Sequence, residues 1–216
     1  MSCSFDLAHY RELLEAAKAG GYRFARFDAE PEPGDLLLRH DVDLSLGAAV
    51  EMAELEAELD VQATYLLMTE SVFYNLASEE GSAAIERLRE LGHPVGLHAV
   101  RHAGSGVELD GRFDAVLSWH NPRPEYMHDE IPGATNAYGR RHFAPEAYRS
   151  DSNQHWRAGC PHDELRAGAF PWLQILVHPE IWVYAGGTMG ETMRSMVEAE
   201  SKRRLEQLAS DGIHLG

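Results

Sequence analysis

The chain has 216 residues, 44% of them hydrophobic and 25% charged, which suits one folded domain with a sizeable core and argues against a disordered chain. A net charge of −16 opposes nucleic acid and anionic membranes as partners, and no stretch is long and apolar enough to span a bilayer. Two cysteines, Cys3 near the N-terminus and Cys160, predict no structural disulfide and a reducing, cytoplasmic setting, and residues 1–10 lack the pattern of a secretory signal.

Apolar residues at helical spacing predict a helix over 7–19, ended by Gly20-Gly21. A turn at 31–34 leads into Leu36-Leu37-Leu38, a short apolar run expected of a buried parallel strand. Ser45 is a plausible N-cap for a helix over 46–59. A strand at 63–68, a helix at 82–91 closed by Gly92, and a strand at 95–98 follow. Strands are expected again at 115–119 and 173–177, with long loops between them, and a last amphipathic helix at 193–208. Gly186-Gly187-Thr188-Met189-Gly190 lacks the lysine of a phosphate loop and reads as an ordinary connection. The alternation of strand and helix implies one parallel sheet, open or closed into a barrel, with its site at the carboxyl ends of the strands.

Those strand ends carry the chemistry. Arg39-His40-Asp41-Val42-Asp43 places two carboxylates at i and i+2, on one face if the strand continues, so one can hold a metal while the other acts as base. His98 and His102 are spaced i and i+4, which on a helical turn lets two imidazoles share a cation. His178 ends another apolar strand, and Asp151 follows a candidate short strand and could orient a histidine. Each motif alone reads more simply as a turn, a cap or a core histidine. Together they supply two histidines and a carboxylate as ligands with a position left for water, plus a base and an acid.

These residues resemble the polysaccharide deacetylases of the NodB-homology type, carbohydrate esterase family four, over roughly residues 36–182. The resemblance implies a single catalytic domain over 1–216 folded as a distorted (β/α) barrel, incomplete or open where the stretch 103–112 is short. It implies Asp41 as catalytic base, Asp43, His98 and His102 as ligands of a divalent metal, expected to be zinc, and His178 as the acid tuned by Asp151. Trp119-His120-Asn121-Pro122 stands where the family has an arginine that partners the base, so His120 is expected to take that place near substrate. Trp119 and Trp156 are expected to contact the sugar. Ala99 departs from the hydroxyl residue usual in the second motif. The form resembles a bacterial branch linked to surface-polysaccharide and O-antigen assembly, and implies removal of an acetyl-type group from a carbohydrate. Two rivals remain: a metal- or carbohydrate-binding protein that has lost the chemistry, and a hydrolase of a small non-sugar amide.

Overall fold

The computed structural model describes residues 3–100, 107 and 109–213. Its elements run α1 (Leu7–Ala19), β1 (Arg23–Phe24), β2 (Asp35–Val42), α2 (Leu46–Glu58), β3 (Thr64–Leu67), α3 (Glu79–Glu90), β4 (Val95–Ala99), β5 (Val116–Trp119), β6 (Thr135–Asn136), β7 (Tyr148–Ser150), α4 (His162–Arg166), β8 (Leu173–Val177), α5 (Pro179–Val183) and α6 (Met189–Ser210). Seven strands lie in the order β6-β5-β4-β3-β2-β8-β7, with β1 also on β2, and all pair in parallel.

The sheet is curled into a half-barrel. β8 and β6 are five places apart in the order, about 24 Å in a flat sheet at ~4.8 Å per strand. Yet the Gln174 side chain on β8 donates to the carbonyls of Ala137 (2.9 Å) and His142 (2.6 Å), just beyond β6. The sheet must therefore bend round on itself, and this buried amide crosses the interior. Tyr138, Phe143 and Tyr148 pack together across the remaining gap.

Period-two alternation separates the two faces. Leu36, Leu38 and Val42 of β2 and Leu173, Ile175 and Val177 of β8 pack outward against Tyr10, Leu13, Leu14 and Ala17 of α1 and Ala49, Met52 and Ala53 of α2. His40 also points outward and meets the buried Glu56 carboxylate at 2.7 Å, which in turn accepts from Tyr65 at 2.8 Å. Leu37 and Leu66 pack inward with Phe27, Val116 and Ala137. Gly96 is required by this inner packing, since a Cβ there would lie 2.4 Å from the Val116 carbonyl and 2.7 Å from Leu66.

The expected helices and strands through residue 99 are present, with ends shifted by a few residues. α3 starts earlier, at Glu79, because Ser78 accepts from the Gly81 amide and caps it. α6 starts at Met189, where Thr188 caps the helix by accepting from the Glu191 amide and the Glu191 carboxylate accepts from the Gly187 amide, one residue before the cap, at 3.0 Å. The glycine run before α6 is thus a helix entry. The stretch between β5 and β8 is less bare than expected and holds β6, β7 and α4. No helix among the described residues is long and apolar enough to cross a membrane.

Candidate metal centre

The inward parity that buries Leu37 also turns Arg39 and Asp41 inward. On β8, Gln174 and Leu176 pair with Leu37 and Arg39. Continuing that parity brings His178 to the end of the same face. On β4 and β5, His98 is the register partner of Ser118, and His120 follows two residues on. Side chains from four strands, β8 and β2 on one side of β3 and β4 and β5 on the other, therefore converge at their carboxyl ends.

Asp43, His98 and His120 form a cluster that could hold a metal ion. His98 Nε2 lies 3.1 Å from Asp43 Oδ1, His120 Nδ1 lies 3.3 Å from the same oxygen, and the two nitrogens are 3.1 Å apart. Ligands at ~2.0–2.1 Å from a tetrahedral zinc are separated by about 3.3–3.4 Å, so this triangle is close to the face of such a polyhedron. Asp43 Oδ1 is buried and has no hydrogen bond of acceptable geometry among the described residues. A buried carboxylate oxygen aimed between two imidazole nitrogens is what a cation site requires.

A hydrogen-bond chain sets the His98 tautomer. Its Nδ1 is 2.6 Å from Ser118 Oγ, and Ser118 Oγ donates to Asp41 Oδ1 at 3.0 Å. A hydroxyl has one proton, and Asp41 receives it. His98 Nδ1 must therefore be the protonated nitrogen, which leaves the Nε2 lone pair facing Asp43. At His120 the Asn121 amide nitrogen is 2.9 Å from Nε2. That contact places the ring proton on Nδ1, between Asp43 and His98. Turning the Asn121 amide over would present its oxygen to Nε2 and free Nδ1 for a cation. One proton thus holds the cluster, and a metal would displace it.

Asp41 lies behind His98. It is 2% exposed, its Oδ1 accepts from Ser118, and its Oδ2 is 3.5 Å from Arg39 Nη2 and 3.6 Å from His98 Nδ1. Arg39 is itself fully buried, with its guanidinium 4.2 Å from the centre of the Tyr138 ring. The arginine beside this aspartate thus comes from the same strand, two residues earlier.

His178 stands on the other side. Its Nδ1 is 2.6 Å from Asp151 Oδ1, and Asp151 Oδ2 accepts from the His178 amide (2.9 Å) and from Trp182 Nε1 (2.7 Å). The carboxylate cannot rotate, so it pins the ring with Nε2 turned towards Asp43 Oδ2, 4.0 Å away. Burial opposes a charge on His178, but Asp151 outweighs it and raises the imidazole to about 10. Burial also opposes the charge on Asp43, yet His120 and His98 hold its carboxyl below the usual range. Asp43, in turn, raises His120 against the effect of burial. Burial pushes Glu180 up to about 8 despite the pull of His178, so a neutral carboxyl sits behind the histidine at pH 7.

The structure thus brings together Asp41, Asp43, His98, His120, Asp151 and His178. His102 lies outside the described residues, as do residues 103–106 and 108 of the stretch 103–112. His98 sits within strand β4 and not on a helical turn. Two expected sugar contacts need correction. Trp119 and Trp156 are 1% and 4% exposed; Trp119 packs edge-on to Tyr126 and Trp156 lies among Phe5 and Trp182, so neither offers an open face. His120 joins Asp43 and His98, and Arg39 takes the place beside Asp41. The available signal for His120 was its position just past an apolar strand. Ser118 and Glu180 gave none. No protein-family model matches the chain, and no curated protein or solved structure matches it either.

Proposed function

We propose that this chain is a metal-dependent hydrolase that removes an acetyl-type group, an N-acetyl group first of all, from a carbohydrate. The observation that supports this most is the pairing of a buried Asp43–His98–His120 triangle with an Asp151-clamped His178 across from it. A divalent cation held by those three residues, zinc by its liking for imidazole and carboxylate, would supply Lewis acidity and a lower pKa for water. His178 keeps a proton on Nε2 at neutral pH and points it into the site, where a departing amine needs one. Asp151 holds that ring and favours its charged form. Asp41, shielded behind His98 with both oxygens engaged, is assigned the orientation of His98 through Ser118 in place of the direct base role.

The test joins metal analysis to activity. Purified protein is expected to carry zinc and to release acetate from chitooligosaccharide or a nucleotide-linked N-acetylhexosamine. His98→Ala should lose both the metal of this centre and the activity. His178→Ala should keep the metal and lose about 100- to 10,000-fold in rate, more with an amide than with an ester. Full activity in His98→Ala would refute the reading.

The burial of Trp119 and Trp156 favours a second reading, hydrolysis of a small non-sugar amide, because it removes two stacking platforms for a sugar ring. The exposed pair Val72 and Phe73 sits on a loop whose Ser71 donates to the Asp43 carbonyl, which offers an apolar surface near the site. A substrate panel that includes linear and cyclic amides separates the two readings.

A further inference from the structure

A second cluster of ligating side chains lies on the outer side of the sheet, away from the proposed site. The segment before α1 is held down by Phe5, whose ring packs 6.4 Å from Trp156 and 5.1 Å from Trp182. This brings Cys3 into a half-buried place beside Cys160, which precedes α4. His9 completes the group from the first turn of α1, where Asp6 caps the helix by accepting from the His9 amide at 2.8 Å. Cys3 Sγ, Cys160 Sγ and His9 Nε2 all lie within 4.8 Å of one another, and His9 Nε2 is 3.2 Å from Cys160 Sγ.

The orientation of His9 is the independent observation. Its far nitrogen, Nδ1, is 2.8 Å from Glu12 Oε2. A carboxylate on Nδ1 fixes the proton there and directs the Nε2 lone pair at the two sulfurs, the arrangement that surrounds ligating histidines in metal sites. Around a tetrahedral zinc, with Zn–S ~2.3 Å and Zn–N ~2.0–2.1 Å, sulfur and nitrogen are separated by about 3.6 Å and two sulfurs by about 3.8 Å. The cluster needs a displacement of only a few tenths of an ångström to meet those values at the nitrogen. Both cysteines are free thiols, so the donors are available.

We propose that Cys3, His9 and Cys160 bind a thiophilic divalent cation, zinc foremost, with Glu12 as the outer carboxylate and water in the fourth place. The ion joins residue 3 to residue 160 and so clamps the N-terminal segment over Trp156 and Trp182. Trp182 is the residue whose Nε1 holds Asp151 Oδ2. The site is therefore a structural staple behind the His178–Asp151 pair.

Cobalt(II) tests this in the reduced, full-length protein. The Asp43–His98–His120 cluster has no sulfur, so a near-ultraviolet thiolate-to-cobalt charge-transfer band reports on the second site alone. The band should appear in the wild type and persist in His98→Ala. It should vanish in Cys160→Ser, with bound cobalt lower by about one equivalent. Glu12→Gln changes an exposed side chain and should leave the fold intact while weakening cobalt at this site by about 10- to 100-fold. Absence of the band in the reduced wild type, an unchanged band in Cys160→Ser, or a zinc-free protein with Cys3 and Cys160 joined as a disulfide would each overturn the assignment. A wild type that shows the charge-transfer band but binds no cobalt beyond that one equivalent would instead count against the proposed hydrolase site only.

Discussion

Ser118→Ala probes the link between Asp41 and the metal centre without touching a ligand. The hydroxyl is fully buried and bridges His98 Nδ1 (2.6 Å) to Asp41 Oδ1 (3.0 Å). Removing it leaves His98 Nδ1 and one oxygen of a buried carboxylate without that partner, since the direct His98–Asp41 separation is 3.6 Å. Leaving buried polar groups unmade costs about 1–3 kcal/mol in the metal-free protein. Losing the outer partner of a ligating histidine lowers metal affinity by about 10- to 100-fold, which is about 1.4–2.7 kcal/mol. At saturating metal the variant should therefore lose that further amount of ligand-induced stabilisation. Two measurements separate the effects: urea unfolding of metal-free protein, and zinc affinity by competition with a chromogenic chelator. If Ser118→Ala binds zinc at the Asp43–His98–His120 centre as tightly as the wild type while His98→Ala does not bind there, the tautomer relay is refuted.

Asp151→Asn should return His178 from about 10 towards its ordinary value, followed by the NMR titration of the ring in metal-free protein. Because the folded value is raised, the pairing stabilises fully below about pH 6.5 and fades as pH climbs through about 10; the stability gap between wild type and variant should narrow over that window, and a constant gap would count against it. Glu180→Gln removes a raised group that costs stability where the His178 pairing adds it. Its carboxyl is raised to about 8 in the fold, so the wild type loses stability between about pH 4.5 and 8 as the unfolded chain ionises first, whereas the variant does not; Glu180→Gln should gain relative stability across that range in urea titrations of metal-free protein. Gly96→Ala would place a Cβ 2.4 Å from the Val116 carbonyl, costing about 1–3 kcal/mol and displacing β5, so zinc affinity should fall together with the melting temperature.

The amphipathic spacing of α1, the Ser45 cap of α2 and the apolar runs of β2, β4, β5 and β8 were legible in the chain, because local periodicity and capping depend on near neighbours. So was the placement of Asp41, Asp43, His98 and His178 at strand ends on one side, since parallel strands point the same way and alternation is a property of each strand. What the sequence could not decide was which of these groups meet. Strand order put β5 next to β4, and so placed His120 beside His98 and a silent serine between His98 and Asp41. Curling turned Trp119 into packing, and the outer layer brought Cys3 across 157 positions of sequence to Cys160 with His9 between. Register between strands and the folding of chain ends onto helices are long-range choices, set by the burial of whole faces, and no local pattern encodes them.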